Sequence, residues 1–286
     1  MTIILVSSEH LEDALWFRDE EDFVAGMNYV AVLSVVTGIN ILAFILMSNH
    51  VHFVLECSYE EAKLFFDKLK RLYGAYYHNK YGTLEPLRRN GADIQEVKLT
   101  PDSVERAIAY VLMNCVAANI CATADGYPWS SASCYFNLNK PKGTSVSSLG
   151  THRLRRILRS KTVLPANYVL GDGGYILPDS YIRKEFVESL YRSPQRYVVF
   201  LNNSSKAKQH LEKNASPSFT DQIIATASKD LCRSLYRKAS IADLETTEQA
   251  DLIKQIKRRF SADPSQLARV LSIPYSKVCQ LLDSFN

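Results

Sequence analysis

Apolar segments in the first half of the chain predict short β-strands. Ile3–Val6, Asn40–Met47, His50–Glu56 and Gln95–Leu99 have the length of strands and are bounded by polar or turn-forming residues. The second and third are joined only by Ser48-Asn49, a connection typical of a hairpin. The strands are therefore expected to pair in one antiparallel sheet.

Apolar residues at helical spacing between these strands predict three longer helices. They cover roughly Glu20–Val36, Glu60–Tyr81 and Thr100–Ile120. Gly82 ends the second helix, and Thr100 with the proline after it begins the third. The order strand, helix, strand, strand, helix, strand, helix predicts an α+β fold, with a ferredoxin-like (RRM-like) antiparallel sheet and helices on one face.

The second half of the chain is predicted to be mainly helical and to form a separate domain. Lys140–Ser148 is rich in Lys, Pro, Gly and Ser and is predicted to be a linker. The predicted domains are therefore residues 1–139 and 149–286.

A helix-turn-helix is predicted at about residues 250–286. Pro264–Leu271 and Tyr275–Leu282 read as helices on either side of Ser272-Ile273-Pro274, and Ala268 supplies the small residue that crossing helices need. Any unit of three packed helices would show similar spacing, so a packing role is the alternative to DNA recognition.

The composition is that of a soluble globular protein, with 47% hydrophobic and 22% charged residues. No apolar run approaches the ~20 residues that span a bilayer, and the first residues lack the basic region of a signal peptide. The six cysteines form no CxxC pair and show no zinc-finger spacing. We expect a cytoplasmic protein with reduced thiols and no membrane partner.

The net charge is only +4, but it is unevenly distributed. Residues 1–60 contain a single basic side chain, Arg18. The later basic residues form four clusters: Lys68, Lys70 and Arg71; Arg88 and Arg89; Arg153, Arg155, Arg156, Arg159 and Lys161; and Lys254, Lys257, Arg258 and Arg259. Such patches suit a polyanion such as DNA, with ordinary solvated helix faces as the alternative.

The third predicted strand begins with two histidines separated by one hydrophobic residue. Because strand side chains alternate, His50 and His52 project to one face while Val51 points to the core. Two imidazoles on one face of a sheet can share a divalent metal. The alternative is a pair of half-buried histidines with local hydrogen bonds.

Tyr110 and Asn114 are four residues apart on the last predicted helix of the first half, and so lie on the same face. A phenol has a free pKa of about 10, so a tyrosine nucleophile needs help, which a metal gives mainly by polarising the phosphate under attack. An amide oxygen from Asn114 would complete a site with His50 and His52. Mixed nitrogen and oxygen ligands favour Mg²⁺ or Mn²⁺. A tyrosine that only packs is the alternative.

Four ordered blocks resemble the single-tyrosine HUH transposases, and most nearly their REP-associated branch, across about residues 1–137. Met47–Leu55 resembles the family's M-P-N-H-V-H-hydrophobic block, and Leu69–Gly82 its Y-x-x-Y-x-N-x-x-Y-G helix. Ala109–Ala118 resembles its R-Y-I-x-x-N-P-V-R-A helix, and Tyr127–Ser131 its Y-x-W-S-S turn.

The resemblance implies a metal-dependent nuclease and strand transferase that acts on single-stranded DNA. It makes His50, His52 and Asn114 the metal ligands and Tyr110 the nucleophile. The implied reaction cuts DNA at hairpin or repeat sequences, forms a 5′-phosphotyrosine intermediate and releases a free 3′-OH. Rejoining then needs no ATP, because the bond energy is kept in the phosphotyrosine.

The chain departs from the family pattern in the segment after Asn114 and in the loop before the fourth strand. Cys115 and Ala117 replace the proline and arginine that follow Asn114 in the family, and the family's Gly-x-Phe-x-x-Arg loop is not recognisable. These losses leave open a second function, that of a domesticated, non-catalytic DNA-binding regulator that recognises hairpin or repeat DNA. An RNA-binding module is disfavoured, since no strand carries the aromatic RNP pattern.

DNA contacts are predicted along the second helix and in the loop after it. Aromatic and cationic side chains that alternate suit unpaired bases and their phosphates, although such tyrosines often belong to a core. The predicted contact residues are Lys70, Arg71, Tyr77, Lys80, Arg88 and Arg89. The helix-turn-helix would add duplex DNA as a partner, and the protein is expected to be a monomer or homodimer.

Overall fold

The structure is a computed structural model that describes residues 2–9, 14–88, 90–139, 142–204, 221–260 and 262–284. It is an α+β fold built on a four-stranded antiparallel sheet with the strand order β2-β3-β1-β4. The four strands are β1 (Ile3–Ser8), β2 (Asn40–Met47), β3 (His50–Glu56) and β4 (Ala92–Val97). Two short strands, β5 (Thr144–Ser145) and β6 (Val169–Leu170), form a second antiparallel pair.

Helices account for most of the remaining described chain. They are α1 (Glu20–Thr37), α2 (Tyr59–Tyr81), α3 (Glu85–Arg88), α4 (Pro101–Leu112), α5 (Asn114–Ala117), α6 (Thr151–Leu158), α7 (Lys184–Tyr191), α8 (Pro194–Asn202), α9 (Asp221–Tyr236), α10 (Thr246–Phe260), α11 (Pro264–Leu271) and α12 (Tyr275–Asp283). None of these described helices is long and apolar enough to cross a membrane.

Local sequence signals set the ends of the two longest helices. Asp19 caps α1 by accepting a hydrogen bond from the Asp22 amide, and Ser58 forms a reciprocal capping box with Glu61 at the start of α2. Gly82 ends α2 in the left-handed conformation, with φ of 71°, which a residue without Cβ adopts at little cost.

Helices cover both faces of the sheet, whereas the sequence predicted them on one face. Phe53 of β3 packs on Phe65 of α2, with ring centroids 5.2 Å apart. The adjacent residue His52 points to the opposite face, where its ring meets Tyr110 of α4 at 5.6 Å. The sheet is therefore enclosed between the α1–α2 layer and α4.

The outer edge of β2 is closed by later parts of the chain. The Leu46 amide donates to the Trp129 carbonyl at 2.8 Å, and the Ser131 amide donates to the Phe44 carbonyl at 3.0 Å. Further along the edge, Ile41 forms a parallel bridge with Ile182. Main-chain groups of Ile41, Phe44 and Leu46 are thus paired on the outer side of β2, as burial requires.

Hydrophobic packing divides the described chain differently from the predicted linker at Lys140–Ser148. The core around the sheet extends to Leu201 of α8, and Val146, inside the predicted linker, is buried against α1. A separate cluster begins at Ile224 of α9 and continues to Leu281 of α12. The two hydrophobic units therefore separate between α8 and α9.

Two predicted element boundaries shift. Strand β4 occupies Ala92–Val97 in place of Gln95–Leu99, and the helix predicted to run to about Ile120 ends at Leu112, followed by the short α5. Near the C-terminus the predicted pair of short helices is present as α11 and α12. Ser272 ends α11 with φ of 54°, the left-handed conformation that glycine more often supplies.

Candidate active site

The two histidines at the start of β3 lie side by side on one face of the sheet. His50 and His52 are 6% and 1% exposed, and their ring centroids are 4.8 Å apart with the ring planes at 78°. Val51 between them is fully buried on the other face. The structure thus brings the two imidazoles together.

The hydrogen bond made by His50 fixes its tautomer. His50 Nδ1 lies 2.9 Å from the side-chain oxygen of Asn49. Because an amide oxygen only accepts hydrogen bonds, Nδ1 is the donor in this contact, and in the neutral ring Nε2 carries the lone pair. Nε2 is therefore the atom of His50 that can bind a metal, and Asn49 orients the ring.

A row of side chains crosses the sheet at the level of His52. Ser7 of β1 pairs with His52 on one side and with Asp93 of β4 on the other, so the three share a face. The Ser7 hydroxyl lies 2.9 Å from His52 Nδ1. With neighbouring strands ~4.8 Å apart, the Asp93 backbone lies about 10 Å from that of His52.

Tyr110 reaches this face from α4. Its ring meets the ring of His52 edge to face, with centroids 5.6 Å apart and planes at 79°. Burial and the negative charge of Asp93 raise the pKa of the Tyr110 phenol above its ordinary value. The phenol is therefore protonated at neutral pH, and its use as a nucleophile requires a proton acceptor or a cation beside it.

Asn114 lies where the helix of Tyr110 breaks. Its side-chain nitrogen donates to the carbonyls of Tyr110, at 2.8 Å, and Val111, at 3.1 Å, which end α4. These bonds fix the orientation of the amide, whose oxygen is then the atom suited to bind a metal. Asn114 is 5% exposed, so burial also restricts its rotamer.

The separation of the two imidazoles is compatible with one shared divalent cation. Two imidazoles bound to one ion at about 2.1 Å per nitrogen place their ring centroids roughly 4–6 Å apart, and the observed separation of His50 and His52 is 4.8 Å. No group of three or more His, Cys, Asp or Glu residues in the described chain is arranged to hold a metal. A metal site here would therefore need oxygen ligands in addition to the two imidazoles.

Lys70 and Arg71 belong to α2, which packs on the face of the sheet opposite to the histidines, and Arg88 is the last residue of α3. Lys70 donates to the carbonyl of Asn90, next to the loop that enters β4, and Arg71 and Arg88 are exposed. Arg89 lies outside the described residues.

Tyr77 and Lys80 are engaged inside the protein. Tyr77 is fully buried, and its hydroxyl donates to the Leu15 carbonyl at 3.2 Å. The Lys80 ammonium lies 2.8 Å from Asp19 and 2.9 Å from Asp22. Burial alone would lower the pKa of Lys80, but its hydrogen bonds to these carboxylates raise it above the usual value. Neither side chain offers a surface for DNA in this arrangement.

Sequence reasoning did not find Ser7 and Asp93. The alternation of β1 and β4 shows which residues share a face, but the register between strands distant in sequence sets which of them reach His52.

No protein-family model, curated protein or solved structure matches the chain. The resemblance to HUH transposases therefore rests on the sequence motifs alone.

Proposed function

We propose that this chain cleaves and rejoins single-stranded DNA through a covalent bond between Tyr110 and a 5′-phosphate. The observation that carries the proposal is the contact of Tyr110 with His52, beside His50 on the same face. A tyrosine beside two imidazoles able to bind a metal is the arrangement that phosphoryl transfer to a phenol needs.

The reaction exchanges one phosphodiester for another. Tyr110 Oη attacks the phosphorus and loses its proton, while the bond from phosphorus to the 3′-oxygen breaks. The 3′-oxygen leaves as a hydroxyl after taking up a proton, and the 5′-phosphate remains on the tyrosine. Attack by a 3′-OH on this phosphotyrosine reverses the step and rejoins the strand without an external energy source.

The remaining roles follow from the contacts of each residue. His50, His52 and Asn114 would hold Mg²⁺ or Mn²⁺, which when bound supplies positive charge that polarises the phosphate. Asn49 and Ser7 orient the two imidazoles, and the half-buried Tyr110 ring packs against His52. Lys70, Arg71 and Arg88 would bind DNA phosphates, whereas we assign Tyr77 and Lys80 to the core.

The order of elements supports a finer assignment of the fold. A β1-α1-β2-β3-α2-β4 sequence with strand order β2-β3-β1-β4 is what a ferredoxin-like sheet requires. We also assign α11 and α12 to a helix-turn-helix that binds duplex DNA, since their three-residue connection is of the length found in such motifs.

The direct test is a covalent adduct. We expect the protein, incubated with Mn²⁺ and labelled hairpin oligonucleotides, to give a labelled band that survives denaturing electrophoresis and disappears in Tyr110→Phe. Tyr175→Phe, which changes a half-buried tyrosine packed on Trp129, should keep the adduct. An adduct in Tyr110→Phe, or none in the unaltered protein with either Mg²⁺ or Mn²⁺, would refute the proposal.

A second candidate, a DNA-binding regulator without cleavage, is favoured by one observation. Helix α6 buries Leu154 and Leu158 against α1 and exposes Arg153, Arg155 and Arg156. This basic surface lies on the helical layer opposite the histidines. Tight binding of hairpin DNA with no adduct under several metals would favour the regulator.

A further inference from the structure

The C-terminal helical unit, which consists of α9, α10, α11 and α12, contacts the Ser48-Asn49 turn directly before His50. Asp221, the first residue of α9, is 3% exposed and accepts a hydrogen bond from the hydroxyl of Ser48. Ser48 is the first of the two residues that connect β2 to β3, and His50 follows the second. A carboxylate at the start of a helix is also stabilised there by the main-chain dipoles.

Two side chains of α11 hold the same carboxylate from the other side. Gln266 donates to Asp221 Oδ1 at 2.8 Å, and Arg269 donates to Oδ2 at 2.8 Å and to Oδ1 at 3.1 Å. Asp221 is thus buried but compensated by hydrogen bonds and one opposite charge, as a buried charge requires. It links α9 and α11 to the sheet in one network.

Short steps lead from this network to the His50 ring. The Ser48 carbonyl accepts hydrogen bonds from the amides of Trp16, at 2.8 Å, and Phe17, at 3.0 Å. Asn49, the next residue, orients His50 through the 2.9 Å contact to Nδ1. Gln222, adjacent to Asp221, donates to the Phe17 carbonyl at 2.8 Å, so α9 also contacts the segment whose amides bind the Ser48 carbonyl.

The hydroxyl that makes the contact is peculiar to this chain's motif. The M-P-N-H-V-H block that Met47–His52 resembles has proline where this chain has Ser48. Proline fixes its backbone but has no group that can donate a hydrogen bond to a carboxylate. Ser48 therefore replaces a built-in restraint with one supplied by a residue that is 173 positions away.

We propose that Asp221 is a positioning residue for the metal site, through which the C-terminal helical unit sets the orientation of His50. This inference rests on the proposed function and deepens it: the C-terminal unit is part of the site's support. A change in α11 that weakens its hold on Asp221 is transmitted to the Ser48-Asn49 turn.

The test compares Ser48→Ala, Arg269→Gln and the double variant in the full chain. Because residues that orient a metal ligand typically contribute 10- to 100-fold to affinity, we expect each single variant to weaken Mn²⁺ binding about 10-fold, measured by calorimetry. If both act through Asp221, the double variant is no weaker than the single ones. Losses that multiply in the double variant would contradict the proposal.

A second readout does not depend on metal. Amide hydrogen exchange of residues 48–52 should accelerate in Arg269→Gln, although Arg269 has no direct contact with the turn among those described. Ser131→Ala, which removes another buried hydroxyl bonded to β2, is the matched control and should change neither readout.

The two readouts separate the two proposals. If the unaltered protein binds no Mn²⁺ but Arg269→Gln accelerates exchange in the turn, the positioning link stands and the metal-dependent function fails. If the unaltered protein binds Mn²⁺ and forms the adduct while both variants match it in affinity and exchange, the function stands and the role of Asp221 is refuted.

Discussion

Two polar clusters in the first half of the molecule differ in the charges that they contain. Around Lys80, the carboxylate of Asp22 is fully buried and accepts hydrogen bonds from Tyr76, at 2.7 Å, and Tyr81, at 2.8 Å. The histidine cluster has hydroxyl and amide contacts to its rings, from Ser7 and Asn49.

This difference is the basis of our proposal that the Lys80 cluster stabilises the fold and the histidine cluster carries the chemistry. Around Lys80, the ammonium already lies between three carboxylates, those of Asp19, Glu21 and Asp22, so the place of a cation in this cluster is taken. The contacts described for the histidines come from a hydroxyl and an amide, which orient the rings and carry no charge of their own. A cation with phosphate oxygens can complete such a cluster, and this is why we assign the chemistry there.

The largest expected effect is a loss of adduct formation when a histidine of the site is replaced. His52→Ala should lower the rate of adduct formation by on the order of 10³-fold, because a metal ion supplies several kcal/mol of transition-state stabilisation. The unfolding transition should change little by comparison. His78→Ala, which alters an exposed histidine of α2, is the control and should react like the unaltered protein. Normal cleavage by His52→Ala would remove the distinction between the two clusters.

The Lys80 cluster should show the opposite response. Asp22→Ala leaves Lys80 and two tyrosine hydroxyls without their central acceptor, and we expect the free energy of unfolding to fall by about 3–5 kcal/mol. Denaturant unfolding measures the change, with the exposed Asp67→Ala expected within about 0.5 kcal/mol of the unaltered protein. At a temperature where Asp22→Ala is folded, its adduct formation should persist.

A smaller effect on activity is expected at the third ligand. Asn114→Ala removes one metal donor and two hydrogen bonds to the end of α4, and should weaken the apparent Mn²⁺ affinity about 10-fold. Raising the Mn²⁺ concentration should then restore most of the rate of adduct formation. An unchanged metal dependence would remove Asn114 from the site.

The smallest expected effect is a pH shift. The Asp93 carboxylate helps to raise the pKa of Tyr110, because its negative charge disfavours the phenolate. Asp93→Asn should therefore move the phenolate absorbance of Tyr110, isolated by subtracting Tyr110→Phe, to lower pH. Burial remains, so the pKa should stay above about 10. Glu96→Gln, on the opposite face of β4, should leave the titration unchanged.

Much of the fold could be predicted where the local pattern is strong. The hairpin of β2 and β3 has the predicted bounds because both strands are apolar and only a two-residue turn fits between them. The bounds of β4 were predicted less well because it is a polar edge strand, in which Asp93 and Glu96 are exposed. Helix α4 ends early because the Asn114 side chain binds its last carbonyls, a competition that periodicity does not reveal.

The candidate site was predictable only in part. The face shared by His50 and His52 follows from strand alternation, whereas the approach of Tyr110 depends on how α4 crosses the sheet. The internal contacts of Tyr77 and Lys80 could not be predicted from the sequence. Asp19 lies 61 residues before Lys80, and a sequence pattern does not show that the fold brings them together.

The closure of β2 by Trp129, Ser131 and Ile182 has a consequence for how copies of this protein behave in solution. Of the two outer strands of the sheet, β2 already has main-chain groups at Ile41, Phe44 and Leu46 bonded to later segments of the chain. The other, β4, carries Asp93 and Glu96 on its exposed surface, and charges on an outer strand discourage intermolecular strand pairing. Both edges of the sheet thus carry features that disfavour the edge-to-edge association that leads to aggregation.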